Sequence, residues 1–525
     1  MTVRRAAEIG AGLAPARAAR PIRPGERIHV VGAQGAGASA AALLAAWAGA
    51  DVDGCDPGGP SQYTPALDAA GVRVAGAHDA AHVAGTAGSG VPERLAVTKA
   101  LTAIDPDNAE LVAARAAGIP LEPWQQVVAD AASGRLLLAV AGTHGKSTTS
   151  GWLVHVLARG GADPGAFVGA LLPADETGIG LPATARRGSG RPFVVEADEY
   201  AGNFDPYRPD VIVLTSAEWD HPDVFADRAA VLAAFEAWIR RAGEGRTPGD
   251  GLVLVANVAD AGVAELAARL GDWPGRLVAT AMVADADDDG RGLETRFRTA
   301  TGTATTLVAR IVAARPADTL LAVRGLTAGG DPELVDLPTA GRHNASNALG
   351  VAGAALAVGL EPRAIVAGLA SFPGVGRRLE RKGDARGVVV YDDYGHHPTA
   401  IRETLGAVRQ REPGRRVWAV YEPLTYHRTA ALLDAFADVL AAADAVAIAD
   451  IWAGRDPDTT IASSAGLAAA VAARNPAITS AAPGSVEATA AWLAAEVRPG
   501  DAVLVMGGGR SYRIGELLLE HLEAR

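Results

Sequence analysis

AGTHGKSTT, residues 141–149, follows the apolar run Leu136-Leu137-Leu138-Ala139-Val140 and precedes a helix-patterned segment over 151–159. A buried strand that turns through Gly142 and Gly145 into a helix brings backbone N–H groups, the positive end of a helix dipole and the Lys146 ammonium to one point. That point suits a polyphosphate. Glycine lets the backbone approach phosphate oxygens, Lys146 reaches the outer phosphates, and the Ser147 hydroxyl is placed to ligate Mg²⁺. The common phosphate-loop pattern asks for a further Gly where Val140 stands. An ordinary glycine turn leaves the Lys and two hydroxyls after Gly145 unexplained, so nucleotide binding is the reading taken forward.

Length and composition bound the rest. A chain of 525 residues suggests three or four domains at about 150 residues each. The apolar share of 49% and charged share of 21% are those of a folded globular chain. A net charge of −12 argues against a nucleic-acid backbone as partner, which demands clustered Lys and Arg. Cys55 is the only cysteine; no intrachain disulfide forms, a Cys-based metal site is not expected, and the residue reads as small packing material. No apolar run approaches the roughly 18 residues a membrane span requires. Residues 1–25, rich in Ala, Arg and Pro, read as a flexible leader without the apolar region of a secretory signal, and the expected location is cytoplasmic.

Strand and helix patterns alternate along the chain, which predicts an α/β protein with mostly parallel sheets. Residues 27–31 form a short strand, followed by the glycine turn GAQGAGAS (32–39) and an Ala/Leu helix through Trp47. Gln34 breaks the dinucleotide fingerprint there and speaks against an NAD dehydrogenase. The expected units are a Rossmann-like domain over 26–135, a central phosphate-loop ATPase domain over 136–372, and a Rossmann-like C-terminal domain over 373–525. Within the second, 275–338 reads as antiparallel strands, with 285–292 as a solvated acidic turn.

Four further constellations carry chemistry. In VVEADEY (194–200), Glu196, Asp198 and Glu199 end a strand; in AEWDHPD (217–223), Asp220 and His221 follow the next one. Two successive strand ends thus offer carboxylates and an imidazole to a hard cation beside the phosphate loop, although three acids alone also suit a solvated loop. In AGRHNASNAL (340–349), Asn344 and Asn347 share a helix face and fit an adenine edge, or Asn344 caps the helix. Arg377 and Arg378 in GVGRRLE (374–380) stand at a domain junction, suited to phosphate charge or to a surface ion pair. YDDYGHHPTAI (391–401) places Asp392, Asp393, His396 and His397 at a strand end, read as ribose and substrate contacts rather than a metal site.

These motifs, in this order, resemble the Mur ligase family, the ATP-dependent amino-acid ligases of peptidoglycan synthesis. The resemblance runs from about His29 to the C-terminus. It implies three domains and a reaction in which a sugar-borne carboxylate takes the γ-phosphoryl group of ATP and the acyl phosphate then meets an amine. The implied substrates are UDP-N-acetylmuramate and L-alanine, with a recovered murein tripeptide as the alternative acceptor and a non-catalytic nucleotide-sugar binder as the reading from another class. The resemblance further implies roles for individual residues. Lys146, His221, Arg377 and Arg378 would be catalytic; Gly142, Thr143, His144, Gly145, Ser147, Thr148, Asn344, Asn347 and Asp392 would hold ATP. Ser147, Glu196 and His221 would ligate magnesium, Gly35, Gly37 and Ser39 would contact the UDP diphosphate, and His396 and Arg428 would take the amino acid. Gln34 and Ala38 depart from the family's first glycine turn, Val97-Thr98-Lys99-Ala100 from its Ser-Ser-Ala-Ile segment, and Glu422-Pro423-Leu424-Thr425-Tyr426-His427 from its Gln-Pro-His-Arg-Tyr-Ser run. The last leaves the identity of the amine open. The oligomeric state is not legible.

Overall fold

Val, Ile, Leu and Ala runs of four to six residues, too short for buried helices and bounded by Gly and Asp, become strands buried on both faces. The computed structural model describes residues 4, 6–85, 90–284, 290–327, 331–454, 456 and 458–525. Three mixed α/β layers result, each around its own sheet.

The first sheet has five parallel strands, in spatial order Arg73–Ala75, Asp51–Cys55, Arg27–Val31, Arg94–Val97 and Leu121–Pro123. The order reverses at Arg27–Val31, and a sheet of this kind opens its ligand crevice beyond the strand end at such a reversal. The glycine turn before the helix Ala36–Trp47 stands there.

The central sheet has ten strands, in spatial order Glu333–Leu337, Thr319–Arg324, Thr305–Ala314, Arg276–Met282, Val253–Asn257, Val211–Leu214, Leu136–Ala141, Pro192–Ala197, Gly165–Leu172 and Ala183–Arg186. Leu136–Ala141 has Val211–Leu214 on one side and Pro192–Ala197 on the other, all parallel, with Val140 level with Val213 and with Glu196. The loops after these three strands therefore leave the sheet side by side. Leu137, Ala139 and Ala141 enter one core while Leu138 and Val140 enter the other, the two-residue period of a strand covered on both sides. The first of these cores continues into the N-terminal layer through Leu43, Leu44 and Val128, and Trp124 meets Phe167 edge-on at 5.2 Å.

The C-terminal sheet orders Glu380–Ala385, Val388–Asp393, Asp501–Gly507, Arg416–Glu422, Ala445–Ala449 and Thr479–Gly484, parallel apart from the first hairpin. Among the described residues, no helix is long and apolar enough to cross a membrane.

Three expectations change. Arg276–Met282 and Thr305–Ala314 extend the parallel order, because helix Ala261–Arg269 carries the chain back across the sheet before the former; antiparallel pairing is confined to the short hairpin Arg298–Thr299 with Gly302–Thr303 and to the strands from Thr319 on. Of the acidic turn 285–292, residues 285–289 lie outside the described residues and Arg291 opens the short helix Arg291–Arg296. The described part of the segment expected as a flexible leader is anchored. Ile9 is fully buried against Tyr200 and Ala201, and Ala14 N donates to Leu121 O (2.7 Å). Arg17 donates to Glu122 (2.7 Å) and Asp130 (2.7 Å), and Arg20 pairs with Glu26. Composition suggested disorder, but the arginines that break an apolar run are the groups that neutralise these buried acids.

Candidate active site

Gly142 (φ 135°) and Gly145 (φ 80°) hold backbone conformations in which a side chain is strained. A Cβ on Gly142 would stand 2.2 Å from Thr215 Oγ1, and one on Gly145 would stand 2.5 Å from Asn347 Oδ1. The phosphate loop is thus pressed between the end of the neighbouring strand and the helix Arg342–Ala357. Its Lys146 opens the helix Lys146–Arg159; Nζ donates to Gly142 O (2.7 Å) and Glu199 Oε2 (2.9 Å), with Asp198 Oδ1 at 3.7 Å. Burial opposes the charge on Lys146, yet Glu199 and Asp198 outweigh it and raise the ammonium's pKa, so it stays a cation.

Ser147 Oγ donates to Glu196 Oε1 (3.0 Å), whose second oxygen accepts from Gly169 N (2.6 Å). The carboxylates that gather with His221 are Asp198 and Glu199, with ligand atoms of all three within 4.8 Å of one another. Of the expected metal set, Ser147 and Glu196 thus stand together, while the acids two and three residues on face the His221 imidazole. Strand alternation explains it, since Glu196 still lies in the strand while Asp198 and Glu199 follow in the turn. Carboxylate oxygens with one imidazole and a hydroxyl suit a hard divalent cation. His221 adopts φ 56°, uncommon for a residue with a side chain, and its ring meets Tyr200 edge-on at 4.8 Å.

The C-terminal layer closes over this loop. Arg378 Nη2 donates to Ser147 Oγ (2.8 Å). Arg377, at φ 57°, turns into its own layer instead: Nε donates to Asp392 Oδ2 (3.0 Å), Nη2 to Gly507 O and Ser511 Oγ, and the guanidinium lies 5.1 Å from the Tyr394 ring. The two neighbouring arginines therefore separate. Asp392 is fully buried, and burial pushes its carboxyl up to about 6 against the opposing pull of Arg377. Arg428, 3% exposed, donates from Nε to Asp220 Oδ1 (2.8 Å), and its Nη2 lies 3.2 Å from His221 Nδ1. The residue expected to take a substrate carboxylate thus meets a protein carboxylate and steadies the His221 loop. Burial, then Arg428, holds His396 well below the usual imidazole range; its Nδ1 meets Tyr394 O at 2.9 Å.

A large cleft of about 1440 Å³ runs between the layers, past His144, Gly145, Thr148, Asn344, Asn347, Arg378, Asp392 and Tyr394 to Gln34, Gly35, Ala36 and Tyr63. Asn344 Nδ2 donates to Ala340 O (2.8 Å), and Gly341 occupies the cap position, so the capping alternative fails. Thr143 sits behind the cleft with its hydroxyl on Glu218 O. Two of the three residues expected at the UDP diphosphate also face elsewhere. Ser39 is fully buried with its hydroxyl on Ala36 O (3.0 Å) and Thr184 (3.2 Å), and a Cβ on Gly37 would stand 2.1 Å from the Trp124 ring. Gly35 alone of the three lines the cleft, at the helix N-cap. The motif positions carry inter-layer packing here, and Gln34 braces the turn by accepting from Ser61 and Thr64.

Sequence reading missed Glu218. It meets His144 Nε2 (2.9 Å) and accepts from Thr399 Oγ1 (2.8 Å), while His144 and His397 lie ring to ring at 4.7 Å. Only its position two residues before Asp220 hinted at this.

Three layers with a lysine-bearing phosphate loop at their meeting point define an α/β nucleotide-dependent enzyme. The family models give that class its membership: "Mur ligase family, catalytic domain" matches residues 27–135, "Mur ligase middle domain" 140–355, and "Mur ligase, glutamate ligase domain" 377–509. The chain belongs to the Mur ligase family. Among curated relatives, the UDP-N-acetylmuramate--L-alanine ligase of Kineococcus radiotolerans is 38% identical, covering 95% of this chain and 97% of its own. That of Mycolicibacterium vanbaalenii is 36% identical over the same shares. The crystal structure of UDP-N-acetylmuramate-alanine ligase from Thermotoga maritima, 22% identical and covering 95% and 99% of the two chains, shares the fold with a TM-score of 0.72. A murein peptide ligase from Psychrobacter arcticus, 24% identical over the same shares, does so at 0.67.

Proposed function

We propose that the chain joins L-alanine to UDP-N-acetylmuramate at the expense of ATP, through an acyl phosphate, in the assembly of peptidoglycan precursors. The observation that carries this reading is the convergence on Lys146: Glu199 and Asp198 at its ammonium, Ser147 on Glu196, and Arg378 reaching Ser147 from the opposite layer. The names borne by relatives of 36–38% identity over nearly the whole chain support the substrates.

The sugar's carboxylate attacks the γ-phosphorus of ATP and ADP leaves; the amine of alanine then attacks the acyl carbon, and the tetrahedral intermediate expels phosphate. Such chemistry asks for alignment and for neutralised charge more than for acids and bases. Lys146 and the loop amides hold the outer phosphates, and Arg378 brings a second cation to the transferring group from across the cleft. Asn344 and Asn347 present amides along one cleft wall to the adenine, and Asp392 offers its carboxylate to the ribose. Ser147 with the Glu196, Asp198, Glu199 and His221 group would hold magnesium, which would supply neutralisation of phosphate charge. His396, kept neutral with Nδ1 directed at Tyr394 O, leaves Nε2 to accept from the alanine ammonium, and Arg428 orients the His221 loop beside it. Gly35 and the turn braced by Gln34 receive the UDP diphosphate. The domain limits that accompany this reading are 26–135, 136–372 and 373–525.

ADP release with UDP-N-acetylmuramate present, measured across a panel of amino acids and a murein tripeptide, tests the reading. L-alanine is expected to give the fastest release; a tripeptide preference, or release indifferent to the acceptor, overturns it.

A further inference from the structure

Away from the cleft, the first layer buries a second set of metal-ligating side chains. His29 on the strand Arg27–Val31, Cys55 at the end of Asp51–Cys55, His82 on the helix Ala80–Val83 and Glu110 on Ala109–Ala116 converge behind the glycine turn. His29 Nε2 lies 2.7 Å from Glu110 Oε1 and 3.4 Å from Cys55 Sγ. Cys55 Sγ is 3.1 Å from Glu110 Oε2, and His82 Nδ1 is 3.1 Å from Glu110 Oε1. A tetrahedral zinc with bonds of about 2.0 Å to nitrogen or oxygen and 2.3 Å to sulfur separates its ligands by about 3.3 to 3.5 Å. These four donor pairs stand at 2.7 to 3.4 Å, and ligand atoms from all four residues lie within 4.8 Å of one another.

We propose that His29, Cys55, His82 and Glu110 form a structural site for zinc or a similar late first-row divalent metal. The surroundings match such a site beyond the four donors. Asp53 Oδ1 lies 2.7 Å from His29 Nδ1, the carboxylate-to-imidazole contact that directs the other ring nitrogen at a metal. Two anionic donors, thiolate and carboxylate, balance a dication with two neutral imidazoles. His78, with Nδ1 3.1 Å from Cys55 Sγ, supplies a spare imidazole on the side where His78 and His82 are partly open, 15% and 11% exposed, which gives an entry path. On binding, the Cys55 thiol proton and the proton shared between His29 Nε2 and Glu110 leave to solvent. A lone cysteine argued in sequence against a thiolate-built site; the fold gathers two imidazoles and a carboxylate to it from three other segments.

The site would also fix the nucleotide-sugar turn, since Cys55 O accepts from Gly32 N (2.8 Å) and Ala33 N (3.2 Å). It does not depend on the ligase reading, and a metal bound with the oxygen-rich Asp198, Glu199 and His221 group has no sulfur donor. Full-length protein, stripped with chelator and reloaded with Co²⁺, is expected to show a thiolate-to-cobalt charge-transfer band that zinc abolishes, to retain one zinc per chain after dialysis, and to melt higher with zinc than without. Cys55→Ala and His82→Ala should each lose the retained zinc and the zinc-dependent melting shift. A folded wild-type protein without the charge-transfer band, or its persistence in Cys55→Ala, overturns the proposal; the wild-type spectrum decides even if the variants fail to fold.

Discussion

Arg377 and Arg378 are adjacent and chemically identical, yet Arg377 bonds within its own layer while Arg378 reaches the phosphate loop. Arg378 reaches Ser147, so Arg378→Ala should lower kcat by on the order of 10²- to 10³-fold with little change in melting temperature. Arg377 bridges Asp392, Gly507 and Ser511, and Arg377→Ala should instead lower the C-terminal layer's stability. A pre-steady-state burst assay paired with calorimetry reads the two effects apart; equal losses of kcat with unchanged melting would contradict the division. Lys146→Ala should cost at least as much activity as Arg378→Ala while leaving the circular dichroism spectrum intact, because the ammonium bonds only to a carbonyl and acids at the helix start. The position of Lys146 in the phosphate loop was legible because its signal is local: a glycine turn, a cation and a hydroxyl close together in the chain. Which arginine crosses the cleft was not, since its partner lies 231 residues away and a backbone turn at φ 57° decides the direction.

Among the elements, the helix Ala36–Trp47 shows how a motif glycine can serve packing. Gly37 lets the Trp124 ring of the helix Trp124–Ala131 lie against the backbone, so Gly37→Ala should destabilise by about 1–3 kcal/mol through overpacking. Trp124→Leu in the same chain should recover part of the loss, and urea unfolding of the single and double variants measures the coupling. Additive losses would mean the ring is not the obstacle. The strands Arg27–Val31, Leu136–Ala141 and Pro192–Ala197 were readable, because buried parallel strands are written as short apolar runs. The parallel direction of Arg276–Met282 and Thr305–Ala314 was not, since strand direction depends on the returning crossover and leaves no mark in the strand residues themselves.

Taken as one body, the molecule is held at its N-terminal end by a buried charge network. Arg94, 2% exposed, pairs with Glu26, Glu122 and Asp130, and Arg17 and Arg20 add cations from the preceding segment. The Arg20 hydrogen bond, opposed by burial and aided by Arg23 N, holds the Glu26 carboxyl down to about 2. A carboxylate depressed in the folded state contributes stability that is present above the unfolded value near 4.5 and is lost as pH falls through about 2. Stability followed by urea midpoint from pH 5 to pH 2 should therefore fall in wild type, and Glu26→Gln should be weaker at neutral pH with a shallower acid limb. Parallel curves for the two would remove Glu26 from the network. Motif order in the chain was enough to establish three α/β layers, a phosphate loop at the start of the second and a family, because anion binding and strand burial act over a few neighbouring residues. Assembly of the layers brought Arg378 rather than Arg377 to the loop, set Asp198 and Glu199 beside His221, drew Ile9, Ala14, Arg17 and Arg20 onto the core and enclosed His29, Cys55, His82 and Glu110 together. Each of those outcomes depends on contacts between segments far apart in the chain, whose energies exist only once the intervening backbone has folded.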